Sequence, residues 1–386
     1  MKKTLLAAAL MASSLCVQAE LIQHTDQIAE VKFTGSTYDL GKHVGDVANK
    51  QITRSIHRFD TTLGVMLPGL TLESLSENFK NAGVFAKLQK HSPDAAAYIK
   101  GLSESMELSP DYLLAVGMSD EAILESQRNG GIGFLQSEQP AKCTVMGQTN
   151  GEGLAWGAAN FDYMAINYEG LIVLNHTDAD GKTRIIQTWA GLIPYGGVTK
   201  GGQPLLMNTM ADEGTARQND NGDILGNTSV PSYHLSWEAY NVKSAEELSN
   251  IYKHGEYTAY FSYVLLDADA RATNVENGYP TETRIRHEQK FAHANHSLYK
   301  EYDFVNTEFA AHSLERQKAA TLFMASASIA TTENQAIEAL HREPLWKGRG
   351  DLMGTVTSTF YSVNGKKVDM AIYTDERHEP VRIKNY

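Results

Sequence analysis

The chain has 386 residues, 42% of them hydrophobic, and a formal charge of −12. That length and apolar content can bury a large core, as one big domain or two closely packed halves. The acidic balance disfavours nucleic acid and anionic lipid as partners, and no internal repeat or linker interrupts the sequence.

At the start, Lys2 and Lys3, the apolar stretch from Leu5 to Leu15 and the small residues ending at Ala19 read as an export signal over 1–19. Cleavage is expected after Ala19. Cys16 follows Leu15 and not the small residue of a lipoprotein signal, which argues against a lipid anchor. No other apolar stretch approaches the roughly 18 residues of a membrane span, so the mature protein is expected in the periplasm or the medium, not inserted. Losing two lysines and no acid would take its charge to −14.

The next stretch, 20–142, reads as mostly helical. Ser92-Pro93-Asp94 predicts a capped helix through Ala95, Ala96, Tyr98, Ile99 and Leu102, and Ser109-Pro110-Asp111 another through Leu113, Leu114 and Met118. From 143 onward the pattern turns to hairpins. Cys143 to Thr149 and Leu154 to Asp162 flank Asn150-Gly151-Glu152-Gly153, Leu171 to Asn175 and Thr183 to Trp189 flank Asp178-Ala179-Asp180-Gly181, and Thr355 to Val363 and Lys367 to Tyr373 flank Asn364-Gly365. Helices are expected around 244–252, 312–326 and 332–340. The class is α+β, with helices packed on antiparallel sheets.

Beyond the signal a single cysteine remains, Cys143. Secreted proteins that keep cysteines usually pair them, so an unpaired one is either a small buried hydrophobe or a reactive thiol. It begins a strand and has no histidine beside it. Activation is open to it if it becomes a chain N-terminus, because an α-amine with a pKa of about 7.7 to 8 is a competent base at neutral pH. That requires cutting Lys142–Cys143.

Cys143-Thr144, followed after a hairpin by Asn160-Phe161-Asp162-Tyr163, resembles the start of the catalytic chain in N-terminal-nucleophile (Ntn) hydrolases of the penicillin acyltransferase and choloylglycine hydrolase group. The helical leader before the cysteine makes the chain similar to the autoproteolytic acyltransferases of peptidase family C45, the isopenicillin-N acyltransferase type. Asn295-His296 resembles that family's Asn-His pair, and Ser313-Leu314-Glu315-Arg316 its Ser-x-x-Arg helix start.

The resemblance implies a four-layer αββα sandwich, with 20–142 and 143–386 becoming the α and β chains of one compact unit after self-cleavage. It implies Cys143 as both nucleophile and amine base, Asp162 orienting the new terminus, Asn295 donating to the oxyanion and Arg316 balancing charge. The expected activity is hydrolysis or acyl transfer at the carbon–nitrogen bond of a small N-acyl amide, with hydrolysis favoured outside the cytoplasm.

Two positions depart from the family pattern. Ala159 stands where bile-salt hydrolases carry arginine, and Thr199, in Gly197-Val198-Thr199-Lys200-Gly201, stands where an oxyanion asparagine is usual. Thr199 and Asn208 are therefore both candidate second oxyanion donors. Tyr257, Tyr260, Phe261 and Tyr263 read either as acyl pocket or as core. His293 and His296 lack the rest of a zinc signature and Asn219-Asp220-Asn221-Gly222-Asp223 lacks the terminal acid of a calcium loop, so no metal and no cofactor is expected. An uncut hydrolase pairing Cys143 with His293 or His296, a silent binding protein of the same fold, and a homo-oligomer all stay open at this point.

Overall fold

In the computed structural model the described residues are 20–129, 143–210, 221–253, 255–277, 283–298, 308–350, 352–374 and 379–386. The expected signal over 1–19, Lys142 on the leaving side of the expected cut, and Asn219 and Asp220 lie outside them.

The N-terminal segment opens with two strands that its composition did not announce, β1 (Glu20–Gln23) and β2 (Ile28–Thr34). Six helices follow: α1 (Thr37–Met66), α2 (Leu72–Ala82), α3 (Val84–His91), α4 (Pro93–Met106), α5 (Pro110–Ala115) and α6 (Ser119–Arg128). The helix starts lie where the Ser-Pro-Asp runs place them, but the caps differ. Ser109 Oγ accepts from the Tyr112 N–H at 3.1 Å, whereas Ser92 makes no side-chain cap and donates instead to Glu238 Oε1 at 2.6 Å. α1 and α4 cross with backbones almost touching. A Cβ on Gly41 would stand 2.1 Å from the Tyr98 carbonyl oxygen, and one on Gly101 2.1 Å from that of Tyr38.

The remaining strands are β3 (Thr144–Thr149), β4 (Leu154–Met164), β5 (Leu171–Thr177), β6 (Thr183–Trp189), β7 (Ile193–Val198), β8 (Pro204–Thr209), β9 (Phe261–Leu266), β10 (Ala272–Glu276), β11 (Arg284–Glu288), β12 (Lys290–His293), β13 (Met353–Asn364), β14 (Lys367–Tyr373) and β15 (Val381–Lys384). The helices among them are α7 (Ser232–Leu235), α8 (Ala245–Asn250), α9 (Glu308–Ser326) and α10 (Glu333–Leu340). The hairpins β3–β4, β5–β6 and β13–β14 turn where the sequence predicts.

Two sheets result, one in the order β1-β2-β5-β6-β7-β8-β9-β10-β11 and one in the order β12-β3-β4-β13-β14-β15. All pairings are antiparallel except β2 with β5, which is parallel and stitches the N-terminal segment into the larger sheet. β3 and β4 lie against β8 and β9, while α9 and α10 cover the outer face of the smaller sheet.

Alternation along the strands separates the layers. Val145 faces the core between the sheets, which continues into the N-terminal helices. Met146, Trp156 and Ala158 face Ala320, Met324, Ile337 and Leu340 on α9 and α10. The whole is the four-layer αββα arrangement, with α1 and α4 packed against the larger sheet and the start of α6 reaching β4 of the smaller one.

Candidate active site

Cys143 sits immediately before β3, an interior strand of the smaller sheet, and is 7% exposed and unpaired. The antiparallel registers show what surrounds it. Thr144 pairs with Asn160 on β4 and Val145 with His293 on β12. Continued by one step and by two, those ladders place Phe161 on one side of Cys143 and Asn295 on the other, with Asp162 next along β4.

Arg316 ties these strands to α9 from a site that is 1% exposed. Its Nη1 donates to the Cys143 carbonyl at 2.5 Å and to Thr144 Oγ1 at 2.9 Å, its Nη2 to Asn295 Oδ1 at 2.8 Å, and its Nε to His312 Nδ1 at 3.2 Å. Guanidinium has no acceptor, so the contact with Arg316 fixes which end of the Asn295 amide is oxygen. Asn295 Nδ2 therefore points the other way, donating one hydrogen to the Thr209 carbonyl at 2.6 Å. One turn before Arg316, Ser313 accepts from the Asn295 N–H at 2.9 Å and meets His296 Nδ1 at 2.8 Å. The i, i+3 spacing of Ser313 and Arg316 puts both on the sheet-facing side of α9.

Asp162 is fully buried on β4, and among the described residues neither carboxylate oxygen makes a well-formed hydrogen bond. Burial raises its pKa to about 7, against the charge of Arg316, a loose hydrogen bond from the hydroxyl of its cross-strand neighbour Thr355, and the charge of Lys347. The Cys143 thiol is pushed up to about 12, first by burial and then by the charge of Asp162, with a smaller contribution from Asp120. The Asp162 backbone N–H and Arg316 act in the opposite sense. The uncut chain thus holds a neutral thiol beside an acid poised near neutrality.

The two candidate second donors fall away. Thr199 is buried in the β7–β8 turn, where its hydroxyl donates to Gln203 Oε1 at 2.6 Å and accepts from the Gly201 and Gln203 N–H groups. It lies at the Pro204 end of β8, about 14 Å of strand from Asn208 at about 3.4 Å per residue. Asn208 does reach the site, but its Nδ2 donates to the His293 and Ala294 carbonyls at 2.8 and 2.7 Å. Both amide hydrogens are used in holding the strand that leads into Asn295, which leaves no amide hydrogen of Asn208 free to donate elsewhere.

The histidines are also committed elsewhere. His293 Nε2 meets Glu276 Oε1 at 2.9 Å and its Nδ1 meets the Ala294 carbonyl at 2.6 Å. His296 and His312 are each lowered to about 4, by burial first and then by nearby positive charge, and are neutral at physiological pH. None of the groups acting on the thiol is a histidine. Tyr252, Tyr257, Tyr260 and Tyr263 are buried and packed on one another, Tyr252 and Tyr263 with rings 5.6 Å apart, which makes this run core and not the wall of an open pocket.

Asp120 and Tyr233, which no sequence motif marks, join Tyr163 of the Asn160-Phe161-Asp162-Tyr163 run. Asp120 sits in the first turn of α6 and accepts from the Tyr163 hydroxyl at 3.0 Å and the Tyr233 hydroxyl at 2.8 Å. In the sequence Asp120 looks like an ordinary first-turn acid, and only the fold brings it within electrostatic reach of the thiol.

No family model and no curated protein matches the chain. Among solved structures it is similar to penicillin V acylase from Agrobacterium tumefaciens, with a TM-score of 0.37 and 11% identity, over 63% of this chain and 85% of that one. At that distance the likeness assigns neither an activity nor the role of any residue.

Proposed function

We propose that the protein is an exported, self-processing Ntn hydrolase of the C45 type that uses Cys143 on the amide carbon–nitrogen bond of an N-acyl substrate. The observation that carries this reading is Asp162, a fully buried carboxylate whose side chain has no more than a loose hydrogen bond from Thr355 among the described residues and whose own N–H bonds the Cys143 thiol. A buried acid so weakly partnered costs stability unless it acts. A protonated α-amine on Cys143 would supply the missing charge and donors.

In maturation the Cys143 thiol attacks the Lys142 carbonyl carbon. The carbon–nitrogen bond breaks, the amine keeps the proton that leaves sulfur, and a thioester links Lys142 to Cys143. Water hydrolyses that thioester, releasing the Lys142 carboxylate and the free thiol. In turnover the α-amine takes the thiol proton, sulfur attacks the substrate carbonyl, and the leaving amine departs with that proton. Water or an acceptor amine then resolves the acyl-enzyme.

The second hydrogen of Asn295 Nδ2 would be the side-chain donor to the oxyanion, and the bonds of Asn295 to Arg316 and Ser313 support that reading. Phe161, stacked on Tyr195 with ring centroids 4.1 Å apart, gives the thiol an aromatic surround suited to an apolar acyl group.

Intact mass and N-terminal sequencing of the purified protein, beside Cys143→Ala, test the reading. Two chains, one starting at Cys143, are expected from the wild type and one chain from the variant. A single chain from both would sink the mechanism. With cleavage established, Asn295→Ala in the mature enzyme is expected to lower kcat for a chromogenic N-acyl amide by about 10²- to 10³-fold with little change in KM, the usual cost of one oxyanion donor.

A further inference from the structure

The N-terminal segment contributes a second polar cluster to Cys143. Asp120 is 2% exposed, and its carboxylate is turned inward onto two hydroxyls brought by different elements. Tyr163 comes from β4, beside Asp162, and its hydroxyl also lies 2.7 Å from Ser119 Oγ. Tyr233 comes from α7 and is braced edge-on by Phe261 at 5.0 Å between ring centroids. These residues are distant in sequence, and Tyr163 stacks, with ring centroids 5.5 Å apart, on Phe161, the cross-strand neighbour of Cys143.

Helix-dipole stabilisation explains an acid in a first turn that points to solvent. It does not explain one buried between tyrosines within electrostatic reach of a buried cysteine. The charged groups acting on the thiol are Asp162 from β4, Arg316 from α9 and Asp120 from α6, with the Tyr163 and Tyr233 hydroxyls against Asp120. With both acids ionised, two negative charges face one positive charge, and such a site favours an added cation.

We propose that Asp120, fixed by Tyr163 and Tyr233, is a positioning residue whose charge steadies the cationic amine that N-terminal Cys143 forms on taking the thiol proton. The N-terminal segment then remains part of the working site after the chain is cut. This rests on the self-processing reading. Its consequence has a sign: removing the charge of Asp120 lowers the pKa of both the amine and the thiol, so Cys143 reacts at lower pH.

The test is the pH dependence of Cys143 carbamidomethylation by iodoacetamide, read by mass, in the mature wild type, Asp120→Asn, Asp120→Ser and the charge-keeping Asp120→Glu. Far-UV circular dichroism checks that each is folded. In the two neutral variants the midpoint is expected to fall by roughly one pH unit, while Asp120→Glu keeps the wild-type midpoint. An unchanged midpoint in a folded, cut neutral variant overturns the proposal, as does an equal shift in Asp120→Glu, which would mark a packing effect. An uncut wild type is seen separately in the intact mass; it removes the self-processing reading and this proposal with it.

Discussion

Asp162 shows most directly how a residue can be placed against its own stability. Its carboxyl is raised from an ordinary value near 3.8 to about 7, with burial as the main cause. A folded state that binds a proton more tightly than the unfolded chain loses stability as pH rises between the two pKa values. The penalty is absent below about pH 4 and complete above about pH 7, reaching at most about 4 kcal/mol for a shift of three units. In a Cys143→Ala background, where cleavage does not intervene, Asp162→Asn is expected to raise urea stability at pH 8 and to leave it unchanged at pH 4. Equal stability of the two proteins at pH 8 would mean that Asp162 has a partner in the uncut chain and is not held in readiness for the new terminus.

At the scale of elements, the crossing of α1 and α4 depends on two glycines that allow backbone-to-backbone approach. Gly101→Ala sets a Cβ 2.1 Å from the Tyr38 carbonyl oxygen. The resulting overpacking, about 1–3 kcal/mol, outweighs the gain of about 1 kcal/mol in helix propensity. Gly64, in the last turn of α1, would carry a Cβ whose nearest neighbour stands 3.7 Å away, so Gly64→Ala is expected to stabilise by up to about 0.5–1 kcal/mol. Opposite shifts in melting temperature from the same chemical change would confirm the contact; shifts of the same sign would refute it.

Elements were legible wherever their signals are local. Ser109 with Pro110, the turn at Asn364-Gly365 and the alternation of Thr183 to Trp189 carry their structure in neighbouring residues. β1 and β2 were not legible because β2 gains its meaning from a parallel pairing with β5, some 140 residues on. The site divides in the same way. Cys143 and Asp162 stand on consecutive strands of one hairpin, and Asn295 and Arg316 come from two short motifs. Thr199 misled because a residue's place in a motif says nothing about which end of a strand faces the chemistry. Asp120 left no local trace at all.

On the scale of the whole molecule, the proposed cut at 142–143 would leave two chains joined by the β2–β5 backbone ladder and by side chains. Arg184, on β6 and fully buried, reaches across that boundary to Asp94 on α4 at 2.5 Å and to Thr37 on α1 at 3.1 Å, with Asn241 at 2.5 Å. Burial of Asp94 opposes its ionisation, but Arg184, Thr37 and Asn241 together hold its pKa well below the usual carboxylate value. A depressed acid stabilises the fold above its unfolded pKa of about 3.9, and that contribution is lost as pH falls toward the folded value. Arg184→Leu leaves Asp94 largely buried without its cation, a change that costs about 3–5 kcal/mol when one partner of such a pair is removed. The variant is therefore expected to unfold at lower urea at pH 7. Because Asp94 can then no longer ionise at its depressed value, the gap from wild type should narrow as the pH is taken below 4. Urea titrations at pH 7 and pH 3 measure both quantities, and a gap of the same size at the two values would show that Arg184 acts by filling space and not by holding Asp94 charged.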